Sequence, residues 1–250
     1  WAGTATKITA RGFGSPHAGR SEPALSDIDV VIEPGERVLL CGDSGSGKST
    51  LLAAMAGVLG SDEEGTRTGE LLLEDSSGLV EEPGHTIPVG LVLQDPDSQV
   101  ISARVGDDIA FGCENLAYPR EEIWRRVAAA KELVGPFVDL DFPTERLSGG
   151  QKQRLALAGV IAMGAGVVLL DEPTANLDPA GARDVVRAVS RLVEETGATL
   201  VVVEHQHAAW DGVLDRAVEL DHGRIVADTS FAEVAQRRQV SGPVSYTHLR

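Results

Sequence analysis

The feature that most constrains this chain is a glycine-rich run set between an apolar strand and a helix-forming stretch. Arg37–Cys41 is short and almost wholly apolar, and Gly42-Asp43-Ser44-Gly45-Ser46-Gly47-Lys48-Ser49-Thr50 follows it directly. Residues 48–58 then read as a helix. Strand, glycine loop and helix in that order form the context in which a phosphate-binding loop works. Gly42, Gly45 and Gly47 let the backbone turn sharply and aim its N–H groups inward. Those groups and the helix N-terminus favour anionic phosphate oxygens. Lys48 adds a point charge for the β- and γ-phosphates, and the Ser49 hydroxyl is a hard oxygen suited to Mg²⁺. A triphosphate site is therefore expected over residues 42–50.

The rest of the chain alternates in a way that suits such a loop. Residues 7–10 and 28–32 read as strands, joined by a turn-rich link over 12–22, and 33–36 is a tight turn. Further strands are expected at 70–73, 89–93, 167–170, Thr199–Val203, 217–220 and 224–227. Helices are expected at 121–134, 180–195 and 207–214, with Ile123, Val127, Ala130 and Val134 at helical spacing in the first of these. From residue 95 to about 165 the pattern is helical. The expected fold class is α/β: a mostly parallel core interrupted by a helical lobe at approximately 95–165, within one domain over 1–240. No internal repeat or coiled-coil heptad interrupts it.

A second acidic and polar constellation follows. Asp171-Glu172 ends the apolar run Val167-Val168-Leu169-Leu170. Ligands of open parallel sheets sit at the carboxyl ends of the strands. Asp171 is thus placed to hold Mg²⁺, and Glu172, one residue on, to face an attacking water as general base. Leu147-Ser148-Gly149-Gly150-Gln151 puts a hydroxyl cap and two glycines at a helix start. Alone, that run could be an ordinary N-cap. With Lys152-Gln153-Arg154 after it and the Asp171-Glu172 pair beyond, the combination resembles the ATP-binding cassette (ABC) ATPases.

That resemblance covers residues 5 to about 235 and implies a phosphate-loop core with an inserted helical subdomain. Two such domains clamp two ATP molecules between them. It implies that the Ser148, Gly149, Gly150 and Gln151 run faces the γ-phosphate bound on the opposite domain. Gln94 would contact metal and water and signal to a membrane partner. Asp178, in Ala175-Asn176-Leu177-Asp178, would lie in the loop linking the two active sites, and His205 would be the switch histidine at the γ-phosphate. Phe13 would stack on adenine. His17, His85, His207, His222 and His248 lack such context and are expected at the surface; Trp124 and Trp210 are expected in packing or facing a partner.

Softer signals narrow the group. Gln94-Asp95-Pro96-Asp97-Ser98-Gln99 and Val203-Glu204-His205 are similar to energy-coupling-factor and cobalt-type importers, which take up vitamins, thiamine precursors or transition-metal ions. The implied partners are a second ABC ATPase domain, a transmembrane coupling subunit and a separate substrate-binding membrane protein, at the cytoplasmic face of the membrane. A soluble ABC ATPase acting on ribosomes or DNA is the alternative, and an exporter motor is a third. The formal net charge of −16 argues against nucleic acid as a partner. Cys41 and Cys113 have no metal-binding spacing and read as buried small hydrophobes in a reducing compartment. No N-terminal signal is visible. The longest uncharged stretch, 155–170, is shorter than the ~18 residues of a membrane span, so membrane work is expected to pass through a partner. The chain starts on Trp1, and residues 244–250 match a reading frame through a sequencing adapter. An artefactual or disordered tail is therefore expected at 241–250, with a natural protein that continues further.

Overall fold

The computed structural model describes residues 5–16, 21–59 and 67–240. The expected tail at 241–250, Trp1, His17 and His248 lie outside them.

The chain opens with two antiparallel strands, β1 (Lys7–Ser15) and β2 (Leu25–Ile32). Ile28, Val30 and Ile32 of β2 point to the core, while Asp29 and Val31 between them face solvent, the period-two pattern of a half-buried sheet. β1 runs further than expected. Gly12 adopts a left-handed conformation (φ 55°), its N–H donates to the Asp29 carboxylate at 2.8 Å, and the register slips between Ala10 and Phe13. The glycine that reads as a turn in sequence is a bulge that bends the strand without ending it.

β3 (Arg37–Cys41) leads into α1 (Lys48–Ala56). β4 (Thr68–Glu74) and β5 (Val80–Glu81) then complete a four-stranded antiparallel sheet in the order β2-β1-β4-β5. β6 (Val89–Val92) precedes the helical lobe of α2 (Val105–Asn115), α3 (Arg120–Leu133) and α4 (Gly149–Ala162). There follow β7 (Val167–Asp171), α5 (Pro179–Thr196), β8 (Thr199–Val203), β9 (Arg216–Asp221), β10 (Arg224–Ser230) and α6 (Phe231–Val240).

A six-stranded sheet in the order β10-β9-β3-β8-β7-β6 forms the centre. Its strands are parallel except for the β9–β10 hairpin at one edge. Val38, Leu40, Val167, Leu169, Val201 and Val203 pack on one face against Leu51, Leu52 and Met55 of α1 and against the antiparallel sheet. Leu39, Val168, Leu170, Leu200 and Val202 pack on the other face against α4 and α5. Burial on both faces explains why β3, β7 and β8 read as unbroken apolar runs. Ile123, Val127, Ala130 and Val134 are all buried in the lobe, as their spacing predicts, and both cysteines are buried. No described helix is long and apolar enough to cross a membrane.

Two expectations are corrected. Residues 207–214 do not form a helix; His207–Trp210 is a single 3-10 turn with the Trp210 indole fully buried. His207, expected at the surface, is buried, its Nε2 lying 3.0 Å from the Glu204 carbonyl oxygen. The antiparallel sheet forms a layer of its own, which strand periodicity alone does not reveal. His85 and His222 are exposed, and Trp124 is 39% exposed on the lobe.

Candidate functional site

Four neighbouring parallel strands, β3, β8, β7 and β6, release the residues of interest from their carboxyl ends. β3 delivers the phosphate loop, β8 delivers His205, β7 delivers Asp171 and Glu172, and β6 delivers Gln94. Asp171 is level with Val203, and Val92 with Leu170, so register alone brings these loops to one edge of the sheet.

The phosphate loop depends on glycine at two positions. A Cβ on Gly42 (φ 137°) would stand 2.2 Å from the Leu220 carbonyl oxygen of β9. Gly47 caps α1 at φ 105°, where a side chain is strained. The Lys48 ammonium donates to the carbonyl oxygen of Gly42 and, at 3.2 Å, to that of Asp43. The Ser49 hydroxyl donates to Asp171 Oδ2 at 3.3 Å. Burial pushes the Asp171 carboxyl above the ordinary carboxylate range; the Ser49 hydrogen bond opposes this, and the Glu172 charge adds to it.

Glu172 sits in the left-handed region (φ 48°), an uncommon conformation for a residue with a side chain. Its N–H donates to the Val203 carbonyl at 2.8 Å, which holds the turn after β7 against the end of β8. Strain of this kind persists where the surroundings over-determine it. Here it aims the carboxylate at His205, whose Nε2 lies 2.5 Å from Glu172 Oε1. Ser44, Gly45, Gly47, Lys48, Ser49, Thr50, Asp171, Glu172 and His205 line one open pocket with Ala24 and Val203.

The remaining candidates lie elsewhere. Ser148 caps α4 in a reciprocal pair: Gln151 N–H donates to Ser148 Oγ at 3.2 Å, and Ser148 N–H donates to Gln151 Oε1 at 2.9 Å. Asp178 caps α5, accepting from Gly181 N–H at 2.7 Å. A Cβ on Gly150 would meet Gly181 Cα at 3.2 Å, and one on Gly149 would meet Leu177 at 3.1 Å. The two helix starts therefore share one edge, apart from the residues that line the phosphate pocket. Gln94 is exposed at the end of β6. Phe13 is a correction: the residue is 6% exposed and packs in the core beneath the antiparallel sheet, so it offers no face to a base. The bulge at Gly12 turns it inward. Among the described residues, the pocket lining contains no aromatic ring.

Sequence reasoning missed two connecting side chains. Gln153 is 1% exposed and lies on the buried stripe of α4 with Leu157, Val160 and Ile161. Glu204 is 4% exposed, and its Oε2 accepts from the Thr174 hydroxyl at 2.7 Å. A polar residue on an otherwise apolar stripe was the available signal for Gln153.

A parallel sheet that ends in a glycine-framed phosphate cradle with a carboxylate pair beside it defines a phosphate-loop nucleotide hydrolase. Comparison with known proteins narrows this class. The family model for ABC transporters matches residues 25–175. The energy-coupling factor transporter ATP-binding protein EcfA1 of Caldanaerobacter subterraneus subsp. tengcongensis is 39% identical over 222 residues, 88% of this chain and 78% of that protein. A putative ABC transporter ATP-binding protein of Methanosarcina acetivorans is 37% identical over 97% of this chain but only 39% of its own length. The chain thus spans well under half of several relatives that it matches. Among solved structures, CbiO1 of Clostridium perfringens, part of the ABC transporter complex CbiONQ, superposes with a TM-score of 0.77 at 30% identity, covering 93% of this chain and 92% of that one. A dimeric ATP-binding cassette bound to ADP and phosphate superposes with a TM-score of 0.70 at 22% identity, which speaks to the fold. The chain belongs to the ABC transporter family, as an ATP-binding ATPase.

Proposed function

We propose that this chain is the motor of an importer of the energy-coupling-factor or cobalt type, with a single cassette over 1–240 and a helical subdomain at approximately 95–165 as its working unit. The observation that carries this reading is the division of the candidate residues between two edges. Lys48, Ser49, Asp171, Glu172 and His205 share the pocket, while Ser148, Gly149, Gly150, Gln151 and Asp178 stand apart on the starts of α4 and α5. A second cassette, facing the first, would bring its Ser148 edge to this pocket and sandwich ATP. The capped start of α4 carries free backbone N–H groups and a positive dipole end suited to a γ-phosphate.

Within the pocket, the loop amides and Lys48 bind phosphate oxygens, and Glu172 accepts a proton from the attacking water. His205 holds the Glu172 carboxylate in place. The Ser49 hydroxyl and the Asp171 carboxylate are two hard oxygens already in contact, a donor set that fits Mg²⁺, with Gln94 a third candidate from the adjoining strand. That ion would neutralise charge on the phosphates. Closure on ATP then moves a transmembrane coupling subunit through the Gln94 region, by the differential affinity of ATP for the closed state. A separate membrane protein binds the vitamin, thiamine precursor or transition-metal ion. Such a motor works at the cytoplasmic face of the membrane.

Asp171→Asn tests the metal assignment. A carboxyl whose folded pKa is raised costs stability above its unfolded value, and the cost fades as pH falls through the folded value. The variant should therefore melt at a higher temperature than the native chain at pH 7, by a margin that shrinks in acid. Its Mg²⁺-dependent ATPase rate should drop by ~10²-fold or more, as expected for loss of a group stabilising transferred phosphoryl charge. A lower melting temperature at pH 7, or full activity, would contradict the assignment.

Co-expression with the neighbouring open reading frames tests the transport reading. The expected result is a detergent-soluble complex with integral membrane proteins whose ATPase rate responds to reconstitution in lipid. Recovery with ribosomes instead, and no membrane protein, would favour the soluble alternative.

A further inference from the structure

The loops that follow β6, β7 and β8 are tied together by two buried side chains outside the phosphate pocket. Gln153, five residues beyond Ser148 on α4, donates through Nε2 to the Leu93 carbonyl at 3.0 Å and to the Pro173 carbonyl at 3.1 Å. Leu93 immediately precedes Gln94, and Pro173 immediately follows Glu172. The two acceptors also fix the amide orientation, because only the NH₂ end can face two carbonyls. Its oxygen has no hydrogen-bond partner among the described residues, so Gln153 is held in place by its donors. One residue beyond Pro173, the Thr174 hydroxyl donates to Glu204 Oε2 at 2.7 Å. Glu204 Oε1 accepts from the His205 N–H at 3.1 Å, and the Glu204 carbonyl oxygen lies 3.0 Å from the buried His207 ring nitrogen.

We propose that Gln153, Thr174 and Glu204 form a buried relay of positioning residues that sets Gln94, Glu172 and His205 relative to one another and to the Ser148 end of α4. This rests on the assignment of Glu172 and His205 above. Each link spans a loop that would otherwise move alone. The Gln153 amide couples the loop after β6 to the loop after β7. The Thr174–Glu204 bond couples the loop after β7 to the loop after β8, and Glu204 clamps the backbone at His205. A shift of the Gln94 loop, on the edge that would meet a membrane partner, therefore drags Pro173 and, through Thr174 and Glu204, His205. Buried networks of this kind act as units, whereas separated sites with no shared partner behave additively.

The test is a double-mutant cycle read on steady-state ATPase kinetics. Thr174→Val keeps shape and removes the donor; Gln153→Met keeps length and removes both donors. Each single variant should lower kcat about tenfold, the scale of a small displacement of catalytic groups, with the KM for ATP within about twofold, because neither residue lines the pocket. The double variant should also fall by about tenfold rather than a hundredfold, because the relay is already cut. Thr174→Ser, which restores the hydroxyl, should restore kcat. If Gln153→Met fails to fold, Glu204→Gln takes its place in the cycle. Additive losses, or an unchanged kcat in Thr174→Val, would overturn the relay, as would a loss that appears only in KM or that Thr174→Ser does not restore. Failure of the underlying catalytic assignment is a different result: there, Glu172→Gln would itself remain active.

Discussion

Glu172→Gln should arrest the cycle with nucleotide still bound. The substitution keeps side-chain length and removes the basic oxygen, so phosphate binding by the Lys48 loop is left intact while proton abstraction is lost. The expected fall in kcat is ~10²–10⁴-fold, the usual contribution of a positioned base. In the presence of Mg²⁺ and ATP the variant should accumulate as a dimer by size-exclusion chromatography with light scattering, with unhydrolysed ATP recovered from the peak. ADP should not support the dimer. Two observations make Glu172 the choice over Asp171: its carboxylate meets His205 across the pocket, and its backbone is held in the left-handed region by the bond to Val203. Turnover at the native rate would place the base elsewhere. A monomer that retains ATP but does not hydrolyse it would keep the base and remove the sandwich.

Lys48→Ala should abolish turnover earlier in the cycle. Lys48 is 8% exposed as a residue, and its ammonium rests on the Gly42 and Asp43 carbonyls, where it also holds the loop in shape. Removing one partner of a desolvated charge pair costs ~2–5 kcal/mol, so ATP affinity should fall by about 10²-fold or more. Nucleotide binding measured by calorimetry should show this directly, with no ATP-dependent dimer at any practical concentration. Lys48→Arg should fare little better, since a planar fork does not replace a compact ammonium in a tight cradle. Unchanged ATPase activity in Lys48→Ala would refute the phosphate-loop assignment.

The two substitutions fall on residues that could be read directly from the chain, and the reason is physical. β3, β7 and β8 are covered on both faces, so each appears as a short apolar block, and the residue that ends the block must lie at the sheet's carboxyl edge. Lys48, Asp171, Glu172 and His205 inherit their places from that rule. Phe13 could not be placed the same way. An aromatic near the start of the chain suits stacking on a base, but a left-handed Gly12 shifts the β1 register and turns the ring into the core. The helix expected at 207–214 failed for a related reason: Trp210 is buried as an anchor for one turn, and the apolar spacing around it carries no longer helix. The partners of Gln153, Thr174 and Glu204 were opaque because they are tertiary. Nothing in a linear pattern announces that a glutamine will donate to carbonyls at 93 and 173.

The strand order also has a consequence for how the protein is made. Among the described residues β3, which presents the phosphate loop, pairs with β8 and β9 alone, and both are translated long after it. Non-local pairing of this kind is slow, and chains fold from the N-terminus as they emerge. A nascent chain on the ribosome therefore carries its nucleotide cradle without a flanking strand until β8 is complete at residue 203, and without the second until β9 ends at residue 221, so synthesis interrupted before residue 203 leaves the strand that presents the cradle unpaired.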